Sequence, residues 1–187
     1  MQTLIVLDAQ NEFSAEGNRT VPNHAEALEA IQRRVEEARR EGRPIAWVRH
    51  HNPPVEPPPG LKPAFIPGAW GAEFSPGLGP LAERSEEVEF VKNVFGAFTG
   101  TGIGSWLEEQ GSDDVLLVGF FAHMCVSTTA REALMRGLST SIDPDGTGGF
   151  PWRHELLGEQ SAEEVRRTAL LQLSHLGVSI TPLRRDS

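Results

Sequence analysis

The chain has 187 residues and a formal net charge of −9. That length is enough for one domain with a sizeable core, and the charge argues against nucleic-acid backbones or anionic membranes as partners. One cysteine excludes an internal disulfide, and no apolar run approaches the ~20 residues of a membrane span. The start, "MQTLIVLDAQNEF", lacks a basic region and a long apolar segment, so a cytoplasmic protein without a signal peptide is expected.

In chain order, residues 3–7 (TLIVL) form a continuous apolar run, the signature of a strand covered on both faces, and Asp8 ends it. Residues 23–42 read as a helix: Asn23 and Glu26 have capping-box spacing, Ala27, Leu28, Ile31, Val35 and Ala38 make one stripe, and Gly42 suits the C-terminal end. "RPIAWVRH" is a second strand. Residues 52–81 hold nine of the 14 prolines and read as a long ordered excursion. "EEVEFVKNVF" is a third strand, "TGIGSWLEEQG" a short helix, "DDVLLVGFF" a fourth strand and "MCVSTTAREALMRG" a helix. "LSTSID" is a fifth strand, followed by the turn-rich "DPDGTGGF". "SAEEVRRTALLQLSHLG" is a last helix with Ser161 and Glu164 in capping-box spacing, and "VSIT" is a sixth strand. Alternating strands and helices predict a single α/β domain over residues 1–187, with a parallel sheet and helices on both faces.

Ligands bind at the carboxyl ends of such strands. Asp8, Lys92, Cys125 and Asp143 all fall at or near strand ends. A thiol is nucleophilic as thiolate, and an ammonium or a helix N-terminus lowers its pKa, so a reactive Cys125 with a depressed pKa is expected. A carboxylate can take the thiol proton and return it to a leaving amine, and backbone N–H groups at a helix start can hold an oxyanion. Each residue also has a plainer reading. A lone cysteine is more often a buried small hydrophobe, an aspartate often bounds a strand, and a lysine can extend to water. The four placed together at one rim favour chemistry.

The ordered segments "LDAQNEF", "PGAWGAEFSPGL", "FVKNVFGAF", "GFFAHMCVSTTAREALMRGL" and "SID" resemble the isochorismatase-like cysteine hydrolase superfamily, from about residue 3 to residue 143. The resemblance implies a three-layer α/β/α fold on a six-stranded parallel, Rossmann-like sheet and an Asp8–Lys92–Cys125 triad. It also implies a non-proline cis peptide between Phe120 and Phe121, with an oxyanion hole from the N–H groups of Phe121 and Cys125. Members with the cysteine cleave C–N bonds, so an amidohydrolase-type hydrolase of a small molecule is expected. The alternatives are a vinyl-ether hydrolase of isochorismatase type using Asp8, and a non-catalytic binding member. No organic cofactor is implied, and self-association as a homodimer or larger homo-oligomer is.

Nicotinamidases of that superfamily carry Asp-x-His and a later His after the second strand. Here "VRHHNPP" offers adjacent His50 and His51, whose side chains point apart on extended chain, and no aspartate, so no metal is expected. Phe13, Trp70, Phe95 and His123 are the candidate pocket residues, and core filling is the competing role for the aromatics. Arg19, Arg49, Arg84 and Arg153 are candidate carboxylate binders that the sequence does not place.

Overall fold

The computed structural model describes residues 1–53, 56–57 and 59–182. Pro54, Val55 and Pro58 of the proline-rich excursion, and residues 183–187 of the expected domain, lie outside the described residues. The main sheet contains β1 (Gln2–Leu7), β2 (Ile45–His50), β3 (Glu87–Lys92), β4 (Asp114–Gly119), β5 (Ser139–Thr147) and β8 (Ser179–Ile180). All neighbours run parallel, in the order β3-β2-β1-β4-β5-β8. Four helices flank it: α1 (His24–Glu41), α2 (Ile103–Glu109), α3 (Ser127–Met135) and α4 (Ala162–His175).

The strand pleat sorts the core into two. Leu4, Val6, Trp47 and Val118 point to one face and meet Ile31 and Val35 of α1, together with Phe65 from the proline-rich excursion. Ile5, Leu7, Val48 and Leu117 point to the other and meet Ile103, Ala130 and Leu173 from α2, α3 and α4. The excursion thus stands where a crossover helix between β2 and β3 would stand.

Winding reverses between β1 and β4, so their carboxyl ends flank the topological switch point. Gly119 is required there. Its φ is +123°, and a Cβ on it would lie 1.8 Å from the Leu7 carbonyl oxygen. The chain then passes through the cis Phe120–Phe121 peptide into a wide π turn, Ala122–Val126, before α3 starts at Ser127.

The structure revises four local expectations. Asn23 makes no side-chain cap; its amide donates instead to the Thr147 carbonyl at 3.0 Å. At the last helix, by contrast, Ser161 and Glu164 do form the capping box. The "DPDGT" segment is not a free loop: β5 continues through it to Thr147 by an irregularity in its pairing with β4. A hairpin, β6 (Trp152–His154) with β7 (Gly158–Gln160), follows in a stretch without alternating hydrophobicity. Finally, Asp143 does not join the rim chemistry. It is fully buried and its Oδ2 accepts from Arg34 Nε of α1 at 2.6 Å, while Arg34 Nη2 donates to the Thr181 carbonyl.

That last contact ties α1 to β5 by a buried charge pair. Removing one partner of such a pair costs about 3–5 kcal/mol because the other charge is left uncompensated. Glu37 still holds Arg34 Nη1 at 2.9 Å, so Asp143→Ala should fall at the lower end, about 3 kcal/mol in urea unfolding. A loss below about 1 kcal/mol would show that the pair is not structural.

Candidate active site

The segment "LDAQNEF" supplies the floor of the site, and each polar side chain in it has a defined partner. Asp8 leaves β1 with φ +54°, a left-handed conformation that aspartate tolerates better than most residues. Gln10, fully buried, donates to the carbonyls of His50 and Ala72 at 3.1 and 2.7 Å and accepts from His50 N–H at 2.8 Å. It thereby fixes the end of β2. Glu12 accepts from the N–H groups of Asn18 and Phe65. Phe65 has φ +57°, so the two non-glycine residues with positive φ among the described residues, Asp8 and Phe65, both line the same cavity.

Lys92, at the end of β3, is almost completely buried. Its Nζ lies 2.8 Å from Asp8 Oδ2, 3.2 Å from Cys125 Sγ and 3.1 Å from His50 Nδ1. An ammonium has three protons, and three acceptors surround this one. His50 Nε2 in turn meets Asn52 Oδ1 at 2.9 Å, which makes Nε2 the protonated nitrogen and leaves Nδ1 to accept from Lys92. The acceptor atoms of Asp8, His50 and Cys125 all lie within 4.8 Å of one another. Oδ2 is held by the ion pair, and Oδ1 of Asp8 is buried without a hydrogen-bond donor among the described residues.

The cavity above this cluster has a volume of about 260 Å³, below the range of drug-sized pockets and suited to a small molecule. Of the candidate pocket residues, Phe13, Phe95 and His123 line it. Phe13 is buried and packs edge-on to Phe121 at 4.9 Å; Phe95 is half exposed at the mouth. His123 stacks on Phe121 at 5.2 Å and accepts from Trp152 Nε1 at 3.3 Å. Trp70 does not belong to the lining: it is half exposed, and its backbone carbonyl accepts from Asn11. Sequence reasoning missed His50 as a partner of Lys92, and Phe65, Phe150 and Trp152 as walls. Only the proximity of "RH" to a strand end pointed toward His50, and nothing in the hairpin's composition marked Trp152.

The isochorismatase domain profile matches residues 2–182. The chain belongs to the isochorismatase family. It is 31% identical to the nicotinamidase/pyrazinamidase of Mycobacterium tuberculosis over 189 residues, covering 92% of this chain and 98% of that one. A secreted isochorismatase effector of Verticillium dahliae is 34% identical over 145 residues, 78% of this chain and 71% of the effector. The crystal structure of an isochorismatase from Pseudomonas putida superposes with a TM-score of 0.84 at 29% identity, over 97% of this chain and 87% of its own. The chain thus has the architecture of an isochorismatase-family hydrolase.

Protonation follows from burial and charge. Burial opposes the charged form of Lys92, but Asp8 and Cys125 outweigh it, and the Lys92 pKa is raised. Burial first, and the Asp8 carboxylate second, push the Cys125 thiol well up; Lys92 pulls it down by less. The depressed thiol pKa expected from sequence is therefore reversed. That expectation counted the ammonium and the helix start, and not the burial or the adjacent anion. Burial, then Lys92, lowers the pKa of His50, and burial lowers that of His123, so both imidazoles are neutral at neutral pH.

Asp8, His50 and Cys125 offer carboxylate, imidazole and thiol donors, types that bind transition metals. They do not fit one here, because the Lys92 ammonium already stands within 3.2 Å of all three. His51 faces a different cleft, with Val91 and Asn93.

The resting pair is thus a neutral thiol beside a carboxylate. Alkylation of Cys125 by iodoacetamide without substrate should still be accelerating above about pH 9, where an ordinary cysteine levels off. Asp8→Asn removes the anion that raises the thiol pKa and should move the profile to lower pH. A wild-type profile that levels below about pH 8, or an upward shift in Asp8→Asn, would contradict this assignment.

Proposed function

We propose that this chain hydrolyses an amide-type C–N bond of a small molecule through a thioester on Cys125. The observation that carries the proposal is a buried thiol at the cavity floor, 3.2 Å from an ammonium and within 4.8 Å of a carboxylate. The likeness to a relative named for two amidase activities, nicotinamidase and pyrazinamidase, supports the same bond class.

In this reading, the amide carbonyl settles over Cys125. The thiol proton passes to Asp8 as sulfur attacks the carbonyl carbon, which makes the S–C bond and an oxyanion. The developing negative charge moves from sulfur to oxygen, so no free thiolate need exist beforehand. Lys92 stays charged throughout and holds Asp8 and Cys125 in register. The Phe121 carbonyl is taken up by the π turn, accepting from Met124 and Val126, and the Ala122 N–H is bonded to Gly148. We assign the Phe121 and Cys125 N–H groups to the oxyanion. The intermediate collapses, Asp8 returns its proton to the leaving nitrogen, and ammonia or an amine departs. Asp8 then takes a proton from water, whose oxygen attacks the thioester. Cys125 leaves, is reprotonated, and a carboxylic acid is released.

The test is ammonia release from a panel of small aromatic and aliphatic amides by wild type and Cys125→Ala. Turnover should fall by about 10³-fold or more in the variant, the scale for removing a catalytic nucleophile. Acid quenching during wild-type turnover should show the acyl mass on Cys125. Turnover that survives Cys125→Ala would sink the thioester and turn attention to acid chemistry by Asp8.

A further inference from the structure

Of the candidate carboxylate binders Arg19, Arg49, Arg84 and Arg153, one lines the cavity. Arg49 is paired with Glu89 and Glu73, and Arg84 with Glu86 and Glu87. Arg153 lies on the exposed hairpin, outside the lining. Arg19 stands at the cavity wall with Asn18 and Asn52, in a lining that also holds Asp8, His50 and His123 and is otherwise rich in aromatic side chains.

The loop that carries Arg19 is held in place. The Arg19 N–H donates to the Glu12 carbonyl at 3.0 Å, and Val21 N–H donates to Phe13 at 2.9 Å. Gly17 is pressed so closely against Glu12 that a Cβ would lie 2.0 Å from its carbonyl oxygen. The guanidinium itself donates Nη1 to the Asn18 carbonyl at 2.8 Å and Nη2 to the Lys62 carbonyl at 3.0 Å. Of its five N–H donors, these contacts take two, and no carboxylate lies within ion-pair distance of it among the described residues. Glu56 shares an adjoining cleft with Arg19 without reaching it.

The charge balance of the cavity sharpens the point. Asp8 is neutralised by Lys92, Cys125 rests as a thiol, and His50 and His123 are neutral. Arg19 is the charge left over. A guanidinium held by two backbone carbonyls on the wall of a largely apolar cavity has donors left to recognise a planar anion by charge-assisted, paired hydrogen bonds.

We infer that Arg19 is the specificity-determining residue of the cavity and selects a substrate with a carboxylate, so that the bond cleaved belongs to a small aromatic or apolar amide carrying a free acid away from its amide end. The inference rests on reading the cavity as an amidase site. The aromatic walls would hold the flat body, Cys125 the amide, and Arg19 the acid.

The test compares 3- and 4-carbamoylbenzoate with benzamide. Calorimetry on Cys125→Ala protein, which cannot acylate, gives the ratio of dissociation constants for neutral and charged amide. With Arg19 present, one of the two carboxylate-bearing isomers should bind about tenfold tighter or better than benzamide, the scale of one charge-assisted contact. Arg19→Gln should bring that ratio to about one, and Arg19→Lys should keep part of it, a pattern that general loss of structure does not produce. In protein with Cys125 restored, the same preference should appear in KM and not in kcat. A ratio near one with Arg19 intact, a ratio unmoved by Arg19→Gln, or no binding of either isomer at millimolar concentration would overturn the inference. Ammonia release from benzamide without any charge preference would leave the amidase reading standing and remove only Arg19's role. A charge preference without ammonia release from any amide would do the reverse.

Discussion

The Lys92 ammonium holds four strand ends together. Lys92 ends β3, His50 ends β2, Asp8 follows β1 and Cys125 follows β4, and these are the four neighbouring strands β3-β2-β1-β4. Taking a charge of this kind out of water costs several kcal/mol, and the cost is offset only when an opposite charge is close and the remaining donors are satisfied. Asp8 supplies the charge, and His50 and Cys125 take the other two protons. The sheet order is what brings those acceptors within reach. The supporting contacts serve the same arrangement: Gln10 fixes the backbone of His50, Asn52 fixes its tautomer, and Gly119 lets β4 leave against β1 closely enough to bring Cys125 over the rim.

The same hub explains how an unreactive-looking thiol fits nucleophilic chemistry. A free thiolate next to the Asp8 carboxylate in a buried site would put two anions against one cation. The neutral thiol and carboxylate avoid that, and in the proposed mechanism the proton moves only as the substrate's carbonyl oxygen takes the charge. In that reading the net charge at the cavity floor stays at zero, which leaves the Arg19 guanidinium at the wall as the charge proposed to meet a ligand.

Much of this was legible in the sequence. The apolar runs that mark β1 and β4, the stripe on α1, and Ser161 with Glu164 are local signals, and local geometry decides them. Asp8, Lys92 and Cys125 were placed at one rim from strand ends alone, and the contacts among them follow from sheet order. What was hidden depends on tertiary neighbours. The thiol's protonation reflects burial and a carboxylate from another strand. Asp143 carries the same strand-end signal as Asp8, yet Arg34 from α1 draws it into a structural pair. Trp70 sits in a family-like segment but turns outward, and Trp152 enters the wall through a hairpin whose residues are exposed along its length. Arginine type alone could not separate Arg19 from Arg49, whose carboxylates Glu73 and Glu89 come from elsewhere in the chain; Arg84 meets its near neighbours Glu86 and Glu87.

The most direct test of the hub is the charge state of Lys92 itself. The chain has two lysines, Lys62 and Lys92, so ε-¹³C-labelled lysine gives two resonances that can be followed against pH. Lys92→Met assigns the Lys92 resonance by its loss. Lys92 should remain an ammonium above the pH at which a free lysine side chain titrates, about 10.4, because Asp8 and Cys125 hold its proton. A Lys92 resonance that titrates below that value, as burial without an anionic partner would make it do, would contradict the arrangement on which the site is built.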